Sequence, residues 1–362
     1  MPLKINRRKF LQLSGTSMAA TQLVSCSFGD NDQPVRLYGG YRDYGNKFGA
    51  ACMNQSGELI WKLQTPARVH EVCLSNDLSL GAVVARRPGD FIQLFDPATG
   101  AAVDQIRAPK GLIFEGHGLF RESDAGQIEL WATASPLATS ESVLLKYNLA
   151  ELSSEPEQIP IEGLGPHQML LDEGSLSAEG SSNIVIAVGG WKSEGRTILN
   201  ADSFESGLVF YQPETGTQNF VAAPSERLSA RHLAFNGTNI WVGMQLADPA
   251  PTEAVLLYRY SIEEGWQAAQ APEQGWRGFN GYIGSVAVAD QEVVATSPQG
   301  HLFGRWSLEG QSIAAASSLD IAGAAKIGQD WWLSSGVGEV RTAGKQIESG
   351  IFWDNHWVGH TL

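Results

Sequence analysis

The sequence predicts an all-β chain folded as a seven-bladed β-propeller, and three observations carry that prediction. A short phrase opening on histidine recurs along the chain: His70 begins HEVCLS, His117 HGLF, His167 HQMLL and His232 HLAF. Each is followed by apolar runs of a few residues, the later ones closing in turn residues, as in FIQLFDPATG, VLLKYNLAEL, GLVFYQPETG and VLLYRYSIEEG, which is the pattern of short strands bounded by turns. No long stretch carries a 3.6-residue apolar period, while 40 glycines and 16 prolines punctuate the chain. A repeat of roughly 40–50 residues made of strands and turns belongs to propellers of the WD40 or YVTN kind.

The elements follow in order. Asn6-Arg7-Arg8-Lys9-Phe10-Leu11 carries the paired arginines and apolar continuation of a twin-arginine export signal. The stretch from Leu11 to Val24 is too short and too polar to span a bilayer permanently. Leu23-Val24-Ser25-Cys26 resembles a lipoprotein processing box, with Cys26 as the lipid-bearing first mature residue. Residues 1–25 are therefore expected to be a signal peptide, 26–35 a tether and 36–362 the propeller. The expected blades run from His70 to Pro109, His117 to Gly163, His167 to Pro224, His232 to Pro272, Ile283 to Ser318 and Ile321 to Ile347. The leftover ends, Val35 to Pro66 and the C-terminal IFWDNHWVG, make a seventh blade closed by strands from both termini, which removes the free sheet edges. The third repeat is long because of a polar insertion from Gly189 to Gly207, expected at the rim of the channel.

Charge narrows the function. The whole chain carries −14, and loss of the four cations in residues 1–25 takes the mature chain to −18. Such a surface repels phosphate backbones, which excludes nucleic acid as a partner, and draws cations. A lipid on Cys26 would hold the domain at a bacterial membrane, on its periplasmic side, without any basic patch. Cys52 and Cys73 are either a disulfide, which an oxidising compartment permits, or two buried thiols. No C-x-x-C pair exists, which argues against a thiolate zinc site or covalent haem.

In a propeller the first residues of each repeat lie on the innermost strand, so four histidines from four blades face one axis. His356 occupies the equivalent place in the closing blade, Ser285 and Gly323 hold it in the fifth and sixth, and only His301 and His360 fall outside the pattern. Convergent imidazoles suit Fe, Cu or Zn, and Glu71 and Glu115 can add oxygen ligands or orient a ring. His70, His117, His167, His232 and His356 are thus the candidate metal ligands. The competing reading makes them struts between blades, each ring paired to backbone or carboxylate. Arg231, Gln245, Asn280, Arg196 and Asp202 are the candidates for holding an organic or anionic ligand in the channel. With no G-x-S-x-G and no H-E-x-x-H, and with Ser297 reading as a turn residue, the sequence leans away from an enzyme; a metal-assisted lactonase-like hydrolase and a protein-docking scaffold stand as alternatives.

The motifs GHGLF (116–120), GPHQMLL (165–171), GR-x-x-LN-x-D (195–202), RHLAF (231–235), VGMQ (242–245), N-x-YIGSVAV (280–288), TSPQG (296–300), SSGVGEV (334–340) and WDNH (353–356) cover most of the mature chain. In them the chain resembles a family of uncharacterised, twin-arginine-exported bacterial propellers. The resemblance implies a seven-bladed propeller and a link to iron acquisition, with other exported iron-handling proteins as partners, since members are encoded beside imelysin-like lipoproteins and di-haem oxidoreductases. It implies no activity. Leu112-Ile113-Phe114-Glu115-Gly116 departs from the family's RxFYGHG-like text and places Glu115 near the channel.

Overall fold

The computed structural model describes residues 34–361 apart from 124, 153, 177–181, 196, 249 and 290. The export signal with Arg7 and Arg8, the lipidation residue Cys26 and the channel candidate Arg196 lie outside the described residues. Among the described residues, seven four-stranded antiparallel sheets form a ring, and one small hairpin, Ser193–Glu194 with Thr197–Ile198, stands apart from them. No helix among the described residues is long and apolar enough to cross a membrane.

Each sheet is a blade, and in all but the closing one the strands run from the axis outward in chain order. The first blade after the closing one has Val69–Leu74, Gly81–Ala85, Phe91–Phe95 and Ala102–Arg107. Its two middle strands, GAVVA and FIQLF, are buried throughout, because the faces of a blade pack on the blades either side. That removes the polar alternation expected of a sheet with one wet face and leaves continuous apolar runs. The outermost strand, AVDQIR, is mostly exposed and carries Asp104 and Arg107, charges that discourage edge-to-edge pairing. The inner strands of neighbouring blades touch in sequence around the ring, from Val69–Leu74 through to Ile321–Ile327.

The ring closes as the sequence predicts. The strand Phe352–Thr361 joins Val35–Arg42, Phe48–Asn54 and Leu59–Thr65 in one sheet and takes its innermost place. Its register pairs Val35 with Thr361 and Arg42 with Phe352, so the two ends of the domain are held by one ladder of backbone hydrogen bonds. Aromatic packing locks that ladder. Trp353 and Trp357 are buried and meet edge to face with centroids 4.7 Å apart, and Trp353 donates from Nε1 to Ser349 Oγ at 2.7 Å. Trp61, Trp331 and Trp332 are likewise blade core. Trp353→Ala is expected to cost about 3–5 kcal/mol, from lost burial plus the cavity left behind. A shift of the urea midpoint at constant slope would measure it, and an unchanged midpoint would show that this strand is not what closes the ring.

Cys52 and Cys73 are separate free thiols, the first buried within the closing blade, on Phe48–Asn54, and the second half-buried in the next. Burial pushes the Cys52 thiol up to about 12, against the nearby Arg36, so it stays protonated and unreactive.

Candidate functional site

Five histidines meet at the axis. His70, His117, His167, His232 and His356 come from five different blades, and adjacent ring centroids lie between 4.3 Å (His117–His167) and 4.9 Å (His167–His232). His356 closes the cluster, 4.6 Å from His70 and 4.8 Å from His232. Four of the rings are buried and His167 is half-buried.

Local backbone irregularities aim these rings. A regular strand would send consecutive side chains to opposite faces, but each of the five inner strands carries a β-bulge at its histidine. His70 is the extra residue between the Val69–Ala85 and Glu71–Val84 pairs. Residues 115–117 oppose Thr133 alone, 167–168 oppose Ala187 alone, and 354–356 oppose Gly40 alone. In the fourth case Arg231 is the extra residue and His232 follows it. A bulge bends the strand and re-aims its side chains, which lets neighbouring residues such as His70 and Glu71, or Arg231 and His232, both serve the channel. Gly116 makes the approach possible: its φ is +103°, and a Cβ there would lie 2.7 Å from the His70 ring.

Hydrogen bonds fix two tautomers. Glu71 accepts from His117 Nδ1 at 3.1 Å and from the Gly118 backbone N–H at 3.0 Å on one oxygen, and from Gln168 Nε2 at 3.2 Å on the other. Burial alone would raise this carboxyl; the His117 ring and these donors overcome it and hold the group below the usual carboxylate range. An ionised carboxylate only accepts, so His117 carries a proton on Nδ1 and presents Nε2, which has no partner among the described residues. His167 Nδ1 lies 3.1 Å from the Arg231 carbonyl, which also only accepts, so His167 too presents Nε2.

Five of the remaining nitrogens have no partner among the described residues. His70 Nδ1, His117 Nε2, both nitrogens of His232 and His356 Nε2 are buried with no hydrogen-bond partner. Leaving buried polar atoms unpaired costs about 1–3 kcal/mol each, so this is a poor set of struts. Burial, followed by the repulsion of neighbouring imidazoles, lowers His70, His167 and His232 well below the ordinary imidazole value, and takes His356 down to about 3. These rings are neutral at pH 7, the form that binds metals.

Two overlapping triads have their ligand atoms within 4.8 Å of one another: His70, His117 and His356, and His117, His167 and His232. Zinc–imidazole bonds of about 2.0–2.1 Å would need the nitrogens roughly 3.4 Å apart, so the rings would draw in by about an ångström around an ion. His117 belongs to both triads.

Above the cluster lies a cavity of about 500 Å³ lined by His70, His167, Arg68, Arg86, Arg87, Glu115, Arg231 and Tyr282 among others. Asp354 pairs with Arg68 at 2.5 Å and with Arg86 at 3.2 Å, while Glu115 faces Arg87 at 3.5 Å and accepts from Ser135 Oγ at 2.5 Å. Burial raises Glu115 against the pull of Arg87. Of the expected channel residues, Arg231 and Gln245 line this cavity. Asn280 instead caps a 3-10 turn with φ +50°, two residues before Tyr282, which does line it. Asp202 is exposed in a turn of the insertion. The insertion still shapes the mouth, through Trp191 and Ile198. Ser297 is engaged in a turn, donating to the Phe279 carbonyl at 2.7 Å and accepting from Gly300 N–H at 3.0 Å. Arg68, Arg86, Arg87 and Tyr282 carry no repeat signal; the one hint is a cation just ahead of a histidine phrase, as in Arg68 before His70 and Arg231 before His232.

The family profile described as "Protein of unknown function (DUF1513)" matches residues 63–360. Nothing among curated proteins matches. Solved structures of similar shape include Raptor from Chaetomium thermophilum (13% identity, TM-score 0.53, 82% of this chain), of which the chain spans only 25%. A streptogramin B lyase structure is similar at 13% identity and TM-score 0.53, over 82% of this chain and 89% of that one. Apo AztD from Citrobacter koseri is similar at 10% identity and TM-score 0.53, over 90% and 98%. At such identities the likeness is one of fold.

Proposed function

The chain belongs to the DUF1513 family of proteins of unknown function, and from that premise we propose that it binds one transition-metal ion among the five axial histidines and serves in metal handling. The observation that carries this reading is the set of five buried, unpartnered ring nitrogens on four converging histidines. An ion in either triad takes up one lone pair from each of three rings, whereas the strut reading accounts only for the His117–Glu71 and His167–Arg231 contacts. Glu71 then acts as the orienting partner behind His117, raising its basicity. Three imidazoles per triad leave coordination positions open, which fits an ion that is taken up and passed on. Fe, Cu and Zn all suit an all-imidazole set.

The proposal includes export and anchoring, which rest on the sequence of residues 1–26 alone: twin-arginine passage, lipid on Cys26 and a periplasmic setting at the membrane. Iron handling alongside other exported proteins belongs to the same reading. The test is elemental analysis of the mature protein, purified without chelator or metal-affinity tag. About one equivalent is expected, because both triads use the same His117 nitrogen. No metal, even after incubation with Fe, Cu and Zn salts, would sink the proposal and return the histidines to a structural role.

A further inference from the structure

Arg231 is the most buried cation of the cavity above the histidines, only 3% exposed. Its guanidinium lies 3.7 Å over the Trp191 ring, which fixes the plane of the group. Gly189 makes room for it, since a Cβ there would lie 3.0 Å from the guanidinium carbon. The side chain has no carboxylate partner within salt-bridge distance, and its Nε and Nη2, the two nitrogens on one edge of the fork, hydrogen-bond to nothing among the described residues. Burial and then Arg87 lower this group to about 9, so it still carries its charge at neutral pH.

Its surroundings offset it only in part, through the field of Glu115 across the cavity. Arg68 and Arg86 share the single carboxylate of Asp354, and Arg87 faces Glu115. Asp320, the other carboxylate in the lining, is raised by burial. A chain of net charge −14 has thus gathered four arginines at one mouth. A buried, unpaired guanidinium is costly unless something completes it.

From this geometry we infer that the cavity is a binding site for a small oxyanion, carboxylate or phosphate, gripped by the Nε–Nη2 edge of Arg231. That edge matches two coplanar acceptor oxygens of either group. Arg87, Gln245 and Tyr282 line the same space, and about 500 Å³ admits a ligand of the size of a tricarboxylate. The site lies against His70 and His167 yet does not depend on an ion being there, so it stands apart from the metal reading.

The experiment is calorimetric titration of the mature, metal-stripped protein with citrate, inorganic phosphate and chloride at matched ionic strength. Citrate or phosphate is expected to bind with a dissociation constant below about 1 mM, and chloride not to compete; which of the two binds tighter names the source of the oxyanion. Arg231→Met, which keeps the packing length and removes the donors, should weaken binding by about 30-fold or more, as expected for loss of a bidentate charged contact. Circular dichroism checks that this variant folds; if it does not, Arg87→Gln, partly exposed in the same cavity, should weaken binding by about tenfold. Lys110→Gln, an exposed cation outside the cavity, should leave it unchanged, which shows that the loss is not a general effect of net charge. No binding of either oxyanion, or equal binding by a folded Arg231→Met or Arg87→Gln variant, would overturn the inference.

Discussion

His117→Asn is expected to lower metal affinity by about 100-fold or more, beyond what is typical of losing an orienting partner, while His70→Ala and His232→Ala each lower it by about tenfold or less. The difference follows from the sharing of ligands. Removing His70 leaves His117, His167 and His232; removing His232 leaves His70, His117 and His356; removing His117 breaks both sets. Asparagine is the informative replacement because its amide nitrogen can take over the bond to Glu71 while offering nothing in place of Nε2. Alanine would leave the ionised Glu71 buried without its ring partner, and breaking such a pair costs about 3–5 kcal/mol, which would mix folding with binding. Competition against a chromophoric chelator at pH 7.5 gives the affinities. Equal losses at the three positions would mean that the ion does not use the shared nitrogen.

Mild acid is expected to unfold the metal-free protein. His70, His167, His232 and His356 have folded values depressed below the unfolded imidazole value, chiefly by burial. For a base depressed in the folded state, the unfolded chain binds the extra proton, so stability is full above about pH 6.5 and is lost as pH falls below it. The loss continues until the folded rings themselves charge, near pH 3 for His356. Between pH 7.5 and 5.5 the loss depends only on the unfolded value and comes to about 5 kcal/mol for four such rings, comparable with the whole stability of many domains. Denaturant midpoints measured across that range should show a proton uptake on unfolding that averages about two and rises to between three and four at pH 5.5. A midpoint independent of pH from 7.5 to 5.5 would mean that the rings are not buried neutral as a group. Glu71, depressed as well, adds to the loss at lower pH.

The sequence carried the fold because the histidine phrases mark the start of each inner strand. His70 falls in Val69–Leu74, His167 in Pro166–Asp172 and His232 in Leu228–Phe235, each at the phase the repeat implies. Ring closure was legible too, since strands near both ends were left over once six blades had been assigned. The bulges were not, because an extra residue shows only against a partner strand, and nothing in HEVCLS or RHLAF says that one residue fails to pair. The arginine mouth was half legible. Arg231 and Gln245 sit on inner and second strands whose phase is known, but Arg86 and Arg87 lie in a connection after a second strand, where no period applies. The Trp191–Arg231 stack joins an insertion to a neighbouring blade, and local pattern holds no record of such a contact.

Placing His356 on the closing strand sets an order of assembly. The ligands His117, His167 and His232 have all been synthesised once the chain reaches residue 232, while the triad with His70 waits for the final strand, Phe352–Thr361. Domains emerge N-terminal end first during synthesis, so a growing chain owns one complete set of ligands well before it can close its ring. The five-histidine cluster exists only once the closing strand is in place, and its completion reports that Phe352–Thr361 has met Val35–Arg42.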